Sequence, residues 1–335
     1  MLKQLGFVSA MPAHNSTKQS WPGLNPWKWL LGALVLILLL QVVDHWLDWA
    51  TLAEAWQELD KPKAMIGVAL IIASHLLRGL RIHWLLKERI SSRFHVMIKL
   101  SAWHQFTNNL LPMRLGEAAF PILMKRYYGV TALDSVSQLV WLRMLDLLFM
   151  AAVTTSVLLL IKPLLGVAAL VAVALMLALG EWLLALNRQH RSLPPLLSRF
   201  RWLNTALQAL LQQAPHSNRQ QLQLIAITAA SWLSKLLAVC IAISLFSSLP
   251  LIPSLAGAIA SELAGILPIH GIAGSGSFEA AFYSGISLVE GFSADWLAVA
   301  INVHIFLFAS TTLMALFCSL IPVVTAKQPV GEHDL

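Results

Sequence analysis

Charge is scarce in this sequence: Asp, Glu, Lys and Arg make up only 12% of its 335 residues, hydrophobic residues make up 58%, and the mean hydropathy is +0.71. That supply cannot cover a chain of this length with polar surface, which excludes a water-soluble globule and makes lipid its main solvent. Cysteine is equally sparse. Cys240 and Cys318 both fall inside apolar runs, where a thiol packs as a small hydrophobe, and no disulfide framework or zinc spacing is present. No set of His, Asp and Glu has ligand spacing on one helix, so no metal is expected. There is no Walker loop, and Gly271, Gly274 and Gly276 follow no strand, so no dinucleotide site and no cofactor are expected either. A signal peptide is missing too: residues 1–26 hold Pro12, Asn15, Ser16, Pro22, Gly23 and Pro26 and read as a disordered tail, which leaves the first apolar run as an uncleaved anchor.

What is there is a succession of apolar runs, at residues 27–43, 63–86, 94–111, 133–161, 163–186, 221–249, 254–268, 276–289 and 294–324. A spanning helix needs roughly 20 mainly apolar residues. The runs beginning at Phe94, Ser254 and Gly276 are short or polar for a full span, and residues 115–128 form a further short helix candidate. Short segments broken by Pro or Gly at membrane depth are the mark of discontinuous or re-entrant helices.

The formal net charge of +7 is spread in small basic clusters between the runs, a distribution that membrane topology explains and a nucleic-acid partner does not. If residues 94–128 enter and turn back at Pro112, the cytoplasmic side receives Lys87, Arg89, Arg93, Lys125, Arg126 and the arginine-rich stretch 188–219. The opposite side keeps only Lys61, Lys63 and Lys162 beside the acidic Asp44, Asp48, Glu54, Glu58 and Asp60. The same parity makes residues 254–289 a second hairpin, turning near 268–276 and entering from the other face. The expected fold is therefore an all-α polytopic inner-membrane protein. It has six full transmembrane helices and two re-entrant helical hairpins, arranged as an inverted-topology repeat with both termini cytoplasmic. A single membrane domain at 27–325 lies between tails 1–26 and 326–335. Gly116-Glu117-Ala118-Ala119-Phe120 in the first hairpin is echoed by Phe278-Glu279-Ala280-Ala281-Phe282 in the second.

Ionisable groups inside apolar runs cost roughly 2.5–3.5 kcal/mol each on insertion scales, so each requires a partner or a purpose. Arg143 and Asp146 are three apart and share a helix face. Arg114 and Glu117 have the same spacing just after Asn109 and Pro112, where a helix N-terminus would offer N–H groups to an anion. Arg78 and Arg81 sit toward the end of their span, either snorkelling to the headgroups or holding a lipid phosphate. Lys235 has no ion partner within a turn and looks to Glu262 or Glu279. His270 reads as a core histidine within a stretch, 268–277, too glycine-rich to be helix in lipid. Asp44 and Asp48 admit a weaker reading as the acidic pair of a membrane glycosyltransferase.

The stretch Asn109-Leu110-Leu111-Pro112-Met113-Arg114-Leu115-Gly116-Glu117, then Arg143-Met144-Leu145-Asp146, then Pro268 through the glycine-rich turn to Glu279, resembles the ordered motifs of the lysylphosphatidylglycerol synthase transmembrane, or flippase-like, family. Arg78-Gly79-Leu80-Arg81 is similar to that family's early arginine motif. The resemblance implies a membrane domain that handles anionic or lipid-linked molecules. In the synthases a soluble aminoacyl-transfer domain follows. This chain ends about ten residues after its last run, so a stand-alone, non-enzymatic flippase or transporter is the expectation. Its partners would be lipids with anionic headgroups, and its binding residues Arg78, Arg81, Asn109, Arg114, Glu117, Arg143, Asp146, Lys235, Glu262, His270 and Glu279. The alternative is a scaffold or regulator of a separately encoded lipid-modifying enzyme.

Overall fold

The computed structural model describes residues 26–47, 49–91, 93–188, 201–215, 217–265 and 271–323. Among these residues the chain forms α1 (Pro26–Trp46), α2 (Trp49–Gln57), α3 (Lys61–Leu86), α4 (Phe94–Leu110), a 3-10 turn (Pro112–Ala118) and α5 (Ala119–Tyr128). It continues through α6 (Ala132–Ile161), α7 (Pro163–Arg188), α8 (Arg201–Gln212), α9 (Asn218–Phe246), α10 (Leu251–Ala264), a second 3-10 turn (Ile272–Gly274), α11 (Ser277–Glu290) and α12 (Asp295–Ser319). Six of these, α1, α3, α6, α7, α9 and α12, are long and apolar enough to cross a membrane.

Local chemistry sets where the long helices begin. Asp60 accepts from the Lys63 amide at 3.0 Å to cap α3, with Pro62 in its first turn. Thr131 caps α6 and Ser217 caps α9 in the same way, each from an amide 3.2 Å away. Outward-facing leucines such as Leu30, Leu34, Leu165 and Leu175 are exposed along α1 and α7, a surface that water would not tolerate and lipid favours.

Two apolar clusters hold the bundle. One joins α3, α6, α9, α10, α11 and α12 through Ile71, Met150, Val239, Ile243, Phe282, Ile286 and Val303. The other joins α3, α4, α5, α6 and α9 through Leu85, Met97, Leu100, Phe120, Met124, Leu142 and Leu224.

The runs that are short in sequence become two helical hairpins. In the first, α4 and α5 meet again at their open end, where the Tyr128 hydroxyl donates to the Arg93 carbonyl at 3.4 Å. Its closed end depends on Gly116, where a Cβ would lie 2.3 Å from the Asn108 backbone. In the second, α10 and α11 pack antiparallel through Gly257 and Gly285, and a Cβ on Gly285 would lie 2.5 Å from the Ala256 carbonyl. The two closed ends meet beneath α1, where buried Gly32 leaves room for Pro112 of one turn and Ile272 of the other.

Two helices were not expected from the sequence. The acidic segment after α1 contains α2, whose Trp56 indole donates to Asn302 at 3.0 Å. The arginine-rich stretch contains α8, a strongly amphipathic helix. Its end is held against the bundle by the Trp141 indole donating to the Leu210 carbonyl at 2.7 Å and by Arg89 donating to the carbonyls of Gln212 and Ala214.

Candidate functional site

The charged residues of the long helices face one another inside the bundle. Asp146 of α6 is buried and accepts from Arg81 Nη1 and Nη2, at 2.5 and 3.2 Å, and from the Trp232 indole at 2.8 Å. Arg143, one turn earlier on α6, reaches Asp146 at 3.3 Å and Glu117 at 2.6 Å. Glu117 lies 3.9 Å from Arg114, and Arg114 donates through two nitrogens to the Gly265 carbonyl just past α10. A continuous chain of charge thus runs from α3 through α6 and the first turn to the second hairpin. A fork-shaped guanidinium suits such a chain, because it can bind a carboxylate with two hydrogen bonds.

The sequence reading needs two corrections here. Arg78 and Arg81 do not snorkel to the headgroups: they are 5% and 4% exposed, because the face of α3 that carries them packs against α9 and α4. Nor does Arg114 sit at a regular helix N-terminus. Met113 and Arg114 both take left-handed backbone at φ 56° within the 3-10 turn, α5 begins only at Ala119, and the Arg114 side chain is turned toward Gly265. Lys235 pairs with Glu262 at 2.6 Å.

A cavity of about 130 Å³ opens beside this network, between α3, α4, α9, α12 and the second hairpin. Arg78, Asn109, Lys235 and Glu262 all line it, with His75, Asn108 and His304. Arg78 differs from Arg81, Arg114, Arg143 and Lys235 in having no carboxylate within ion-pair distance among the described residues, whereas a buried nitrogen without an acceptor is a feature it shares with Arg81 and Arg143, through their Nε atoms. The Arg78 guanidinium lies 4.6 Å over the Trp232 ring, and its Nη2 is buried with no hydrogen-bond acceptor. It also borders a second, smaller cavity of about 20 Å³ shared with Arg81, His104, Arg143 and Asp146. Asn108 Oδ1 and His75 Nδ1 are likewise buried and unmatched. Since buried polar groups are normally satisfied, this concentration of unmatched atoms is a feature to explain.

Glu279 is 3% exposed at the start of α11, where it accepts from the Gly276 amide at 2.7 Å and faces His304 Nδ1 at 2.6 Å. His270 lies outside the described residues, as does Asp48. Asp44 is exposed, accepts from the Trp49 indole at 3.1 Å and does not border the cavity. Sequence reasoning did not single out Trp232, His104 or His304. His104 lies 3.4 Å from Glu117, and the His304 ring stacks on Phe278 at 4.3 Å. In both copies of the repeated Glu-Ala-Ala-Phe the glutamate meets a histidine, and Phe120 and Phe282 are both fully buried.

Long apolar helices around an enclosed set of charges define an integral membrane protein built on a helical bundle. The sequence matches the family described as lysylphosphatidylglycerol synthase TM region over residues 24–315, and the chain belongs to that family. Searches of curated proteins and of solved structures give no match.

Proposed function

We propose that the protein moves anionic phospholipid or lipid-linked phosphate headgroups across the inner membrane. The observation that carries this reading is Arg78, a buried cation with a donor to spare on the wall of a polar cavity between two helical hairpins. Arg78, Arg81, Arg114, Arg143 and Lys235 stand against Glu117, Asp146, Glu262 and Glu279, leaving one positive charge in excess. Arg81, Arg143 and Lys235 each have a carboxylate, and Arg114 holds the Gly265 carbonyl. Arg114 also lies 3.9 Å from Glu117, so among the described residues Arg78 is the one of these five cations with no carboxylate within ion-pair distance, and a headgroup phosphate would supply the missing acceptor.

The hairpins support a route across the bilayer. At 1.5 Å per residue, α4 with 17 residues reaches roughly 25 Å, and α10 and α11 with 14 each reach roughly 21 Å. Each is short of the ~30 Å hydrocarbon core, as re-entrant segments are. Charge asymmetry favours entry from opposite faces with both termini cytoplasmic, and the repeated Glu-Ala-Ala-Phe fits an inverted repeat in which each hairpin gates one side. The membrane family of the chain is consistent with lipid as the cargo.

The test is headgroup accessibility in proteoliposomes of the full chain, with fluorescent phosphatidylglycerol, a prenyl phosphate and phosphatidylcholine compared in parallel. Protein-dependent equilibration of an anionic lipid, and slower or no movement of phosphatidylcholine, is the expected result. Failure of every lipid to move would overturn transport and favour a scaffold for a lipid-modifying enzyme.

A further inference from the structure

The second hairpin and α12 share a buried acid–base pair, Glu279 and His304, that an anion site alone does not require. Glu279 and His304 have side chains only 4% and 17% exposed, and they meet at 2.6 Å. With Glu279 ionised, His304 Nδ1 is the donor of that hydrogen bond, which leaves Nε2 as the lone-pair nitrogen. Nε2 sits against the glycine-rich turn, 3.4 Å from where a Cβ on Gly274 would lie, at the edge of the same cavity that Arg78 lines. The other carboxylate oxygen of Glu279 is held by the Gly276 amide, so the pair is fastened to the turn that closes this hairpin.

We propose that Glu279 and His304 form a proton site coupled to headgroup binding, so that one proton travels with each anionic headgroup; this rests on the transport reading. The step is a simple protonation. A proton from the aqueous phase adds to His304 Nε2, the imidazole becomes imidazolium, and the pair changes from one net negative charge to none. No covalent bond between heavy atoms forms or breaks.

The surroundings determine the sign of the coupling. The charged and titratable groups facing this cavity are His75 and Arg78 from α3, Lys235 from α9 and Glu262 from α10. The first turn brings Arg114 to Gly265, while α4 presents the uncharged Gln105, Asn108 and Asn109. Arg78 and His304 line the same cavity, so a phosphate held at Arg78 brings negative charge to the space that a proton on His304 would share. Anion and proton therefore favour each other's binding, and linkage requires the effect to be equal in both directions. The corresponding pair of the first hairpin differs: Glu117 meets Arg143 at 2.6 Å, and His104 stands farther off at 3.4 Å.

The experiment uses the same proteoliposomes with fluorescent phosphatidylglycerol, a pH gradient of about one unit, and the membrane potential clamped. A singly charged headgroup moving with one proton is electroneutral, so the label should accumulate in the leaflet facing the alkaline side, up to about tenfold per unit. Proton entry, read by a trapped pH dye, should accompany label movement. In His304→Gln whatever label movement remains should leave the label evenly distributed under the gradient and bring no proton entry with it. Wild type that equilibrates the label but keeps it even under the gradient overturns the coupling and leaves transport standing. Wild type that moves no label overturns transport itself and the coupling with it. A response to sodium and none to pH overturns the proton as the coupled ion. If His304→Gln does not fold, proton entry accompanying label movement in wild type alone decides the question.

Discussion

The two helical hairpins carry the same four residues, Glu-Ala-Ala-Phe, beside their turns, and in both the phenylalanine is fully buried. Their glutamates have different partners. Glu117 is one link in a chain of charge that ties the first turn to α6, α3 and the end of α10, with Arg143 at 2.6 Å as its nearest partner. Among the described residues Glu279 meets no arginine. It holds a backbone amide and a histidine, and it sits beside the larger cavity. A repeated motif thus places a glutamate and a buried phenylalanine beside each turn, while the neighbouring helices decide whether the carboxylate meets an arginine or a histidine.

The substitution expected to disturb this comparison most is Asp146→Asn. It removes the carboxylate that Arg81, Arg143 and Trp232 share and leaves buried guanidinium groups uncompensated, at a cost of about 3–5 kcal/mol. Thermal unfolding in detergent should show a large fall in Tm. Removing Lys235 from its pair by Lys235→Met should cost less, since its side chain is 28% exposed, and Lys235→Met combined with Glu262→Met should recover most of the loss. A double variant no better than the single one would mean that the pair does more than neutralise itself.

The hairpin turns come next. Gly116→Ala and Gly285→Ala each place a methyl group inside van der Waals distance of facing backbone, and overpacking of this kind costs about 1–3 kcal/mol. The first should be the more damaging, because all three of its nearest atoms are backbone of α4, at 2.3 to 2.4 Å. Equal melting temperatures for the two variants would show that the hairpins yield alike. The smallest effect on stability is expected from Glu279→Gln, which keeps an acceptor for the Gly276 amide and should cost at most about 1 kcal/mol. Glu117→Gln frees Arg143 and should lower Tm further.

Much of the architecture was legible in the sequence because lipid imposes a simple rule: the six long apolar runs correspond to the six long helices, and the short runs to the hairpin legs. Helices α2 and α8 escaped because neither is apolar enough to stand out from charged loop sequence; their amphipathic faces are stabilised by packing on the bundle. The charged residues themselves were legible, but most of their partners were not. Arg81 and Asp146 are 65 residues apart, Arg143 and Glu117 are 26 apart, and no helical spacing connects them. For Arg78 and Arg81 position along the helix could not separate the two readings, snorkelling and phosphate binding, for a related reason. Nearness to a helix end suggests the headgroups, whereas burial depends on which face the neighbouring helices cover. His304 gave no spacing signal at all, since a single histidine in an apolar helix reads as core.

The central claim is that an anionic headgroup is carried through the cavity at Arg78. Its most direct test is the rate of phosphatidylglycerol equilibration in proteoliposomes containing wild type or Arg78→Gln, with phosphatidylcholine as the neutral comparison. The account predicts that wild type moves phosphatidylglycerol faster than phosphatidylcholine, and that folded Arg78→Gln loses that difference. Equal rates for the anionic lipid in both proteins, with the preference intact, would contradict it.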